Sequence, residues 1–257
     1  MINLNLNMNL NNELYPITKY LNLIVDVKTY KYILILDGDT IVENNNSIKK
    51  MAHIMNSYKD HIAICGTTKV LNKNKNLITM AQNFEYFISH LLLKNFETVL
   101  FNTLVLSGCF SMIRIYISED QTLINQEILN EYNKEAKNLI EDNLLKFGED
   151  RYLTNILINT YPTKKIKYVP EINCITEVPE TITHLILQRR RWSNSLIACH
   201  IYLLCSKFIS LKLYLLIFIE LAVIIMLPIL IIVGVTSFIL AITIQGFSIF
   251  PVVITVN

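Results

Sequence analysis

From Leu213 to Asn257, 45 residues carry a single ionisable acid or base, Glu220. A run that apolar is too long for the core of a small soluble domain. It calls for a lipid bilayer and is sized for two membrane helices of roughly 20 residues each. The expected spans are Leu213–Val233 and Val235–Val256, meeting at Gly234. That joint has no polar turn residues, so one long span followed by a truncated or re-entrant segment is the alternative. A buried hairpin of a soluble protein is a third reading, disfavoured by length. Glu220 facing lipid would cost ~2–3 kcal/mol, which predicts a position at the interface or against protein.

All other charge lies at or before Lys212, and a net +2 leaves no broad basic face for nucleic acid. The five cysteines form no C-x-x-C pair, so reduced thiols on the cytosolic side are expected, with neither zinc nor disulfides. The first 29 residues are rich in asparagine and lack the basic and apolar regions of a signal peptide.

The polar part is organised around Tyr32-Ile-Leu-Ile-Leu-Asp37-Gly-Asp39-Thr40. The apolar run, too short for a helix and ended by two acids, predicts a buried parallel strand. It would deliver Asp37 and Asp39 to the sheet edge where ligands of α/β proteins bind. Gly38 lets backbone approach a ligand, and the two carboxylates are hard oxygen donors for Mg²⁺ or Mn²⁺ on a nucleotide-sugar diphosphate. By itself such a triplet also fits a solvated turn.

Further strands are expected at His61–Gly66, Lys165–Pro170 and Ile172–Thr176. A helix from Phe84 to about Leu100 carries Phe84, Phe87, Ile88, Leu91 and Leu92 at helical spacing, for core or membrane packing. Glu85, beside two aromatics, is a candidate sugar contact. In the small-residue loop before Phe110, Gly108 and Cys109 would let backbone amides reach a ligand, although an ordinary turn fits equally. Ser118–Lys146 reads as a polar surface insertion. Glu149 and Asp150 open a helix, where acids suit the helix dipole, but a carboxylate there can also act as a general base. Arg151 would hold it ionised or close an ion pair. Farther on, Gln188, Arg191 and Trp192 stand at i, i+3 and i+4 on one helix face. They bring together an amide, a guanidinium and an indole suited to a sugar and a diphosphate. Arg189 and Arg190 are expected to point elsewhere, toward anionic headgroups or solvent.

In this order, the strand-DGDT, QNFEYFISH, SGCFSMIR, GEDRYLTN and QRRRWSNS blocks resemble the processive family 2 glycosyltransferases, and within them the fungal-type chitin synthases. The resemblance, which extends to an IEL-x5-LP membrane approach, covers roughly Tyr30 to Leu230. It implies a partial GT-A-like α/β fold with a mixed sheet and flanking helices, then an amphipathic interface helix and transmembrane helices. The corresponding divisions are 1–29 (low complexity), 30–207 (glycosyltransferase) and 208–257 (membrane).

Carried over, Asp37 and Asp39 contact nucleotide and metal, with Asp39 the metal ligand, and Asp150 is the catalytic base. Gln188, Arg191 and Trp192, with Glu149, Gly108, Cys109 and Glu85, form the substrate and acceptor wall. The implied reaction transfers N-acetylglucosamine from UDP-GlcNAc to the 4-hydroxyl of a growing β-1,4-linked chitin chain, with inversion. The implied setting is a multi-pass plasma-membrane protein with a cytosolic catalytic domain, partnered by UDP-GlcNAc, the chitin chain and lipid, with a homo-oligomer left open. Two departures stand out: Ser107 replaces the family's proline, and nothing before Tyr30 matches the family's uridine-binding strand. The rival expectations are an inactive fragment or membrane partner lacking that half, or a hyaluronan- or cellulose-type polymerase.

Overall fold

The computed structural model describes residues 30–44, 46–118, 121–206 and 210–253; the low-complexity segment expected at 1–29 lies outside them. A five-stranded sheet is built from β1 (Tyr32–Leu36), β2 (Ile41–Val42), β3 (His61–Val70), β4 (Phe110–Arg114) and β7 (Lys165–Thr176), in the order β1-β4-β3-β7-β2. β3 and β7 pair in parallel and the other neighbours antiparallel, giving a mixed α/β sheet flanked by helices. A short ribbon of β5 (Tyr116–Ser118) and β6 (Gln121–Thr122) stands apart.

β1 departs from the expected buried parallel strand. It is antiparallel to β4, at the sheet edge among the described residues, and Leu36 is 41% exposed. An apolar run shows that a segment is extended, but not which neighbour it pairs with or in which direction.

Each face of the sheet carries its own core. On one, Met51 and Met55 of α1 (Asn46–Ser57) pack on Ile64, Phe110, Met112, Ile172 and Cys174. On the other, Tyr152, Ile156 and Leu157 of α6 (Glu149–Thr160) join Ile62, Ile113 and Ile166. Ala198, Cys199 and Leu203 of α7 (Ile182–Leu204) complete that larger core. The expected surface insertion also feeds it: β6 leads to α4 (Gln126–Tyr132) and α5 (Leu139–Phe147), which with the preceding loop bury Leu123, Ile128 and Leu144. Single apolar residues spaced along a polar stretch suffice to anchor helices too short to show a stripe.

The two short strands expected at 165–170 and 172–176 are one strand, β7, broken only in register. Gly66 of β3 faces Val169 while Thr67 faces Asn173, so Pro170, Glu171 and Ile172 bulge out. The bulge turns the Ile172 carbonyl onto Gly66.

The helix expected from Phe84 begins earlier, as α2 (Leu77–Phe87), because Asn76 caps it reciprocally with Thr79. A π-helical stretch, Ile88–Lys94, joins it to α3 (Asn95–Leu100). Phe84 and Phe87 are 66% and 52% exposed, so that part of the stripe lies outside the core. From α3, Glu97 accepts the Leu104 N–H at 2.9 Å. Burial, opposed by that bond but reinforced by the nearby Glu220 charge, pushes the Glu97 carboxyl up to about 7 from 4.5. A carboxyl raised on folding favours the native state below its unfolded value, and that contribution fades as pH rises through 4.5–7. At roughly 1.4 kcal/mol per pKa unit the loss reaches up to about 3 kcal/mol. Glu97→Gln, whose amide oxygen can still accept Leu104 N–H, should therefore melt higher than the parent at pH 8 but not at pH 5. Melting of detergent-solubilised protein at the two pH values measures this, and equal gains at both would refute it.

The two expected membrane spans form one helix, α8 (Leu211–Val253), unbroken at Gly234. An isolated glycine costs a helix about 1 kcal/mol but does not stop it when nothing polar follows. Leu211–Thr243 is the one helix among the described residues long and apolar enough to cross a membrane. Its base is fixed to the domain through Leu213 and Ile217 in the larger core. Glu220 meets protein, as its lipid cost requires: its Oε2 lies 2.8 Å from Nε2 of buried His200 on α7.

Candidate active site

β1 ends at Leu36, and the turn that follows, closed by Thr40 N–H on the Asp37 carbonyl (3.1 Å), places Gly38 and Asp39 at its tip. Gly38 has nothing near its Cα where a side chain would stand, so the tip is open. Opposite it, the 107–109 loop feeds β4. Gly108 is the meeting point: a Cβ there would lie 3.8 Å from both Asp37 Oδ1 and Asp150 Oδ2. Two remote acids thus face each other across a residue that has no side chain.

Asp150 sits in the first turn of α6, and Gly108 N–H points to its Oδ2 at 3.4 Å while Arg151 N–H donates to Oδ1 at 2.7 Å. Thr154 donates to the Asp150 carbonyl and accepts Leu106 N–H, pinning the small-residue loop to the helix. Lys94, buried at the end of the π-helical stretch, reaches Ser107 of the same loop. Partial burial pushes Asp37 above the ordinary carboxyl range, and the Asp39, Asp150 and Glu149 charges add to it; Arg191 pulls the other way. Asp37, Asp39, Glu149, Asp150 and Arg191 therefore share one electrostatic neighbourhood.

The third wall is α7. Gly148 lets it come close, since a Cβ there would stand 2.7 Å from Ser195 Cβ. Ser195 accepts from Arg151 Nη1 at 2.7 Å and donates to the Trp192 carbonyl at 3.1 Å, tying the Asp150 helix to the Trp192 turn. Trp192 is half-buried, tilted against Tyr86 with ring centroids 6.4 Å apart, and Tyr86 stacks on His90. Gln188 is half-buried beside it and Arg191 exposed.

Arg189 departs from the expectation that it points away. Its guanidinium lies 4.3 Å from the Trp192 ring centroid, 2.6 Å from Glu85 and 3.1 Å from the Gln188 amide oxygen. The i, i+3 spacing of 189 and 192 is the signal that places it there. Glu85 is thus held in an ion pair at the wall. Lys94, Ser195 and Tyr86 were not singled out in the sequence; a lysine inside an apolar helical run was the available sign for Lys94. Cys109 lies at the rear of the loop, its Sγ 3.1 Å from Thr68 Oγ1.

A family model described as chitin synthase matches residues 2–256, nearly the whole chain. The chain belongs to the chitin synthase family. Chitin synthase 1 of Encephalitozoon cuniculi is 35% identical over 222 residues, 72% of this chain and 27% of that protein. Chitin synthase 7 of Mycosarcoma maydis is 39% identical over 175 residues, 65% of this chain and 14% of that protein. Chitin synthase 4 of Cryptococcus neoformans is 38% identical over 176 residues, 67% and 14% respectively. The chain thus spans about a quarter or less of the length of these curated relatives.

Proposed function

We propose that this chitin synthase family chain forms the base and acceptor side of a site that transfers N-acetylglucosamine from UDP-GlcNAc to the 4-hydroxyl of a growing β-1,4-linked chain, with inversion. The observation that carries the reading is the convergence of Asp37 and Asp150 on Gly108. Asp150 takes the proton of the acceptor 4-hydroxyl as that oxygen bonds to the anomeric carbon and the diphosphate departs from the opposite face. The N–H groups of Gly108 and Arg151 hold its carboxylate in place. Trp192 offers its ring to the acceptor sugar, Gln188 a hydrogen bond, and Arg191 a fork of donors to the diphosphate. Glu85, through Arg189, keeps the indole wall in position.

Three acids around Asp37 outweigh one arginine, a surplus that a divalent cation relieves. Among the described residues no three His, Cys, Asp or Glu side chains are grouped to hold a metal alone. That donor set fits Mg²⁺ or Mn²⁺ bound by Asp39, with Asp37 beside it, and completed by substrate phosphates. Such an ion would neutralise the departing diphosphate. Leu211–Thr243 would hold the site at a bilayer surface.

Membranes carrying the full chain, incubated with UDP-GlcNAc and Mg²⁺ or Mn²⁺, should form an insoluble polymer that chitinase digests and that EDTA prevents. Absence of polymer, or a product needing a second nucleotide sugar, would overturn the reading.

A further inference from the structure

On the β3 side of the 107–109 loop, a pair of thiols meets one hydroxyl, apart from the groups given a step in the proposed sugar transfer. Thr68 Oγ1 lies 3.1 Å from Cys109 Sγ and 3.6 Å from Cys174 Sγ, so one hydroxyl joins two thiols. Cys174 is the register partner of Thr68 across β3 and β7 and is fully buried, whereas Cys109 is half-buried in the loop. Both belong to the core on the α1 face. The remaining cysteines are placed elsewhere: Cys65 and Cys199 lie in the opposite core and Cys205 is exposed at the end of α7. We propose that Cys109 and Cys174 are an oxidisable thiol pair, joined into a disulfide by peroxide and reopened by thiol reductants.

Cys109 is the attacking member. The hydrogen bond from Cys174, with Thr68 and the nearby Lys94 charge, favours the Cys109 thiolate against its burial, whereas giving that bond to Cys109, together with burial, keeps the Cys174 sulfur protonated. The Cys109 sulfur attacks one oxygen of hydrogen peroxide, forming an S–O bond as the O–O bond breaks and water leaves. The Cys174 sulfur then attacks that sulfur, forming S–S as the S–O bond breaks and a second water leaves with the Cys174 proton. Two thiols lose two electrons and two protons, and one peroxide becomes two waters. Disulfide geometry requires Cβ atoms roughly 3.5–4.5 Å apart, so closure breaks the Thr68 hydroxyl's contacts with both thiols and draws the loop toward β7. Gly108, whose N–H points to Asp150, moves with it.

The test is chemical and independent of catalysis, so its failure and that of the proposed activity are separable. Full-length chain in detergent is treated with limiting hydrogen peroxide, alkylated, digested and mapped by mass spectrometry. The expected result is a Cys109–Cys174 linked peptide two hydrogens lighter than its parts, lost on dithiothreitol treatment. In Cys174→Ala the link should vanish and Cys109 become labelled by dimedone, which traps its sulfenic acid. Cys109 remaining fully alkylated in the parent chain, or oxidation confined to exposed Cys205, would overturn the proposal.

Discussion

Asp150→Asn is expected to lower polymer synthesis by about 10²- to 10⁴-fold, the usual contribution of a positioned general base, while UDP-GlcNAc still binds. Asparagine matches the carboxylate in size, and its single oxygen can keep the 2.7 Å bond from Arg151 N–H at the start of α6, while the longer 3.4 Å contact from Gly108 N–H to the other oxygen is given up. What it cannot do is take the acceptor proton. The substitution also removes one of the like charges that raise Asp37, so the Asp37 carboxyl should titrate lower in the variant. Isotopic UDP-GlcNAc incorporation, beside a binding isotherm for the same preparation, separates the two outcomes. Synthesis within a few-fold of the parent would remove Asp150 from the base role, and loss of donor binding would recast it as a binding group.

The largest stability effect is expected from Gly66→Ala. An added Cβ would overlap the Ile172 carbonyl and lie 2.9 Å from Phe110 Cδ1. Neither neighbour can yield cheaply: the carbonyl is backbone in the β7 bulge, and the Phe110 ring is fully buried in the α1-side core. Overpacking of this kind costs about 3 kcal/mol, at the upper end of its range because the obstacle is backbone. The corresponding fall in melting temperature is roughly 6–12 °C for a chain of this size. Gly38→Ala is the control, since open space surrounds that Cα and its stability should change by less than about 0.5 kcal/mol. Equal melting of Gly66→Ala and the parent would mean the bulge does not press on β3.

Much of the molecule was legible in residue order. The Asp37-Gly-Asp39 strand end, the helix opening at Glu149 and the Gln188–Trp192 turn lie where their local patterns place them, because cap, strand and helix signals act over a few residues. The membrane-length apolar helix is equally a property of composition. What composition did not decide was whether it breaks. Gly234 looked like a joint, but helix hydrogen bonds continue through it in the absence of a competing polar turn.

The sequence by itself determined which chemistry this chain carries, for carboxylates, guanidinium and indole are fixed by residue type and their local spacing by helix and strand periods. Only the tertiary structure decided what stands opposite what. It set β1 antiparallel to β4, turned Arg189 onto Trp192 and Glu85, and buried a lysine under the 107–109 loop. It also brought Asp37 and Asp150, 113 positions apart in the chain, to one glycine. The physical reason is reach: periodicity governs neighbours within a turn or a strand, whereas long-range register and helix approach depend on where a side chain is missing, as at Gly66, Gly108 and Gly148.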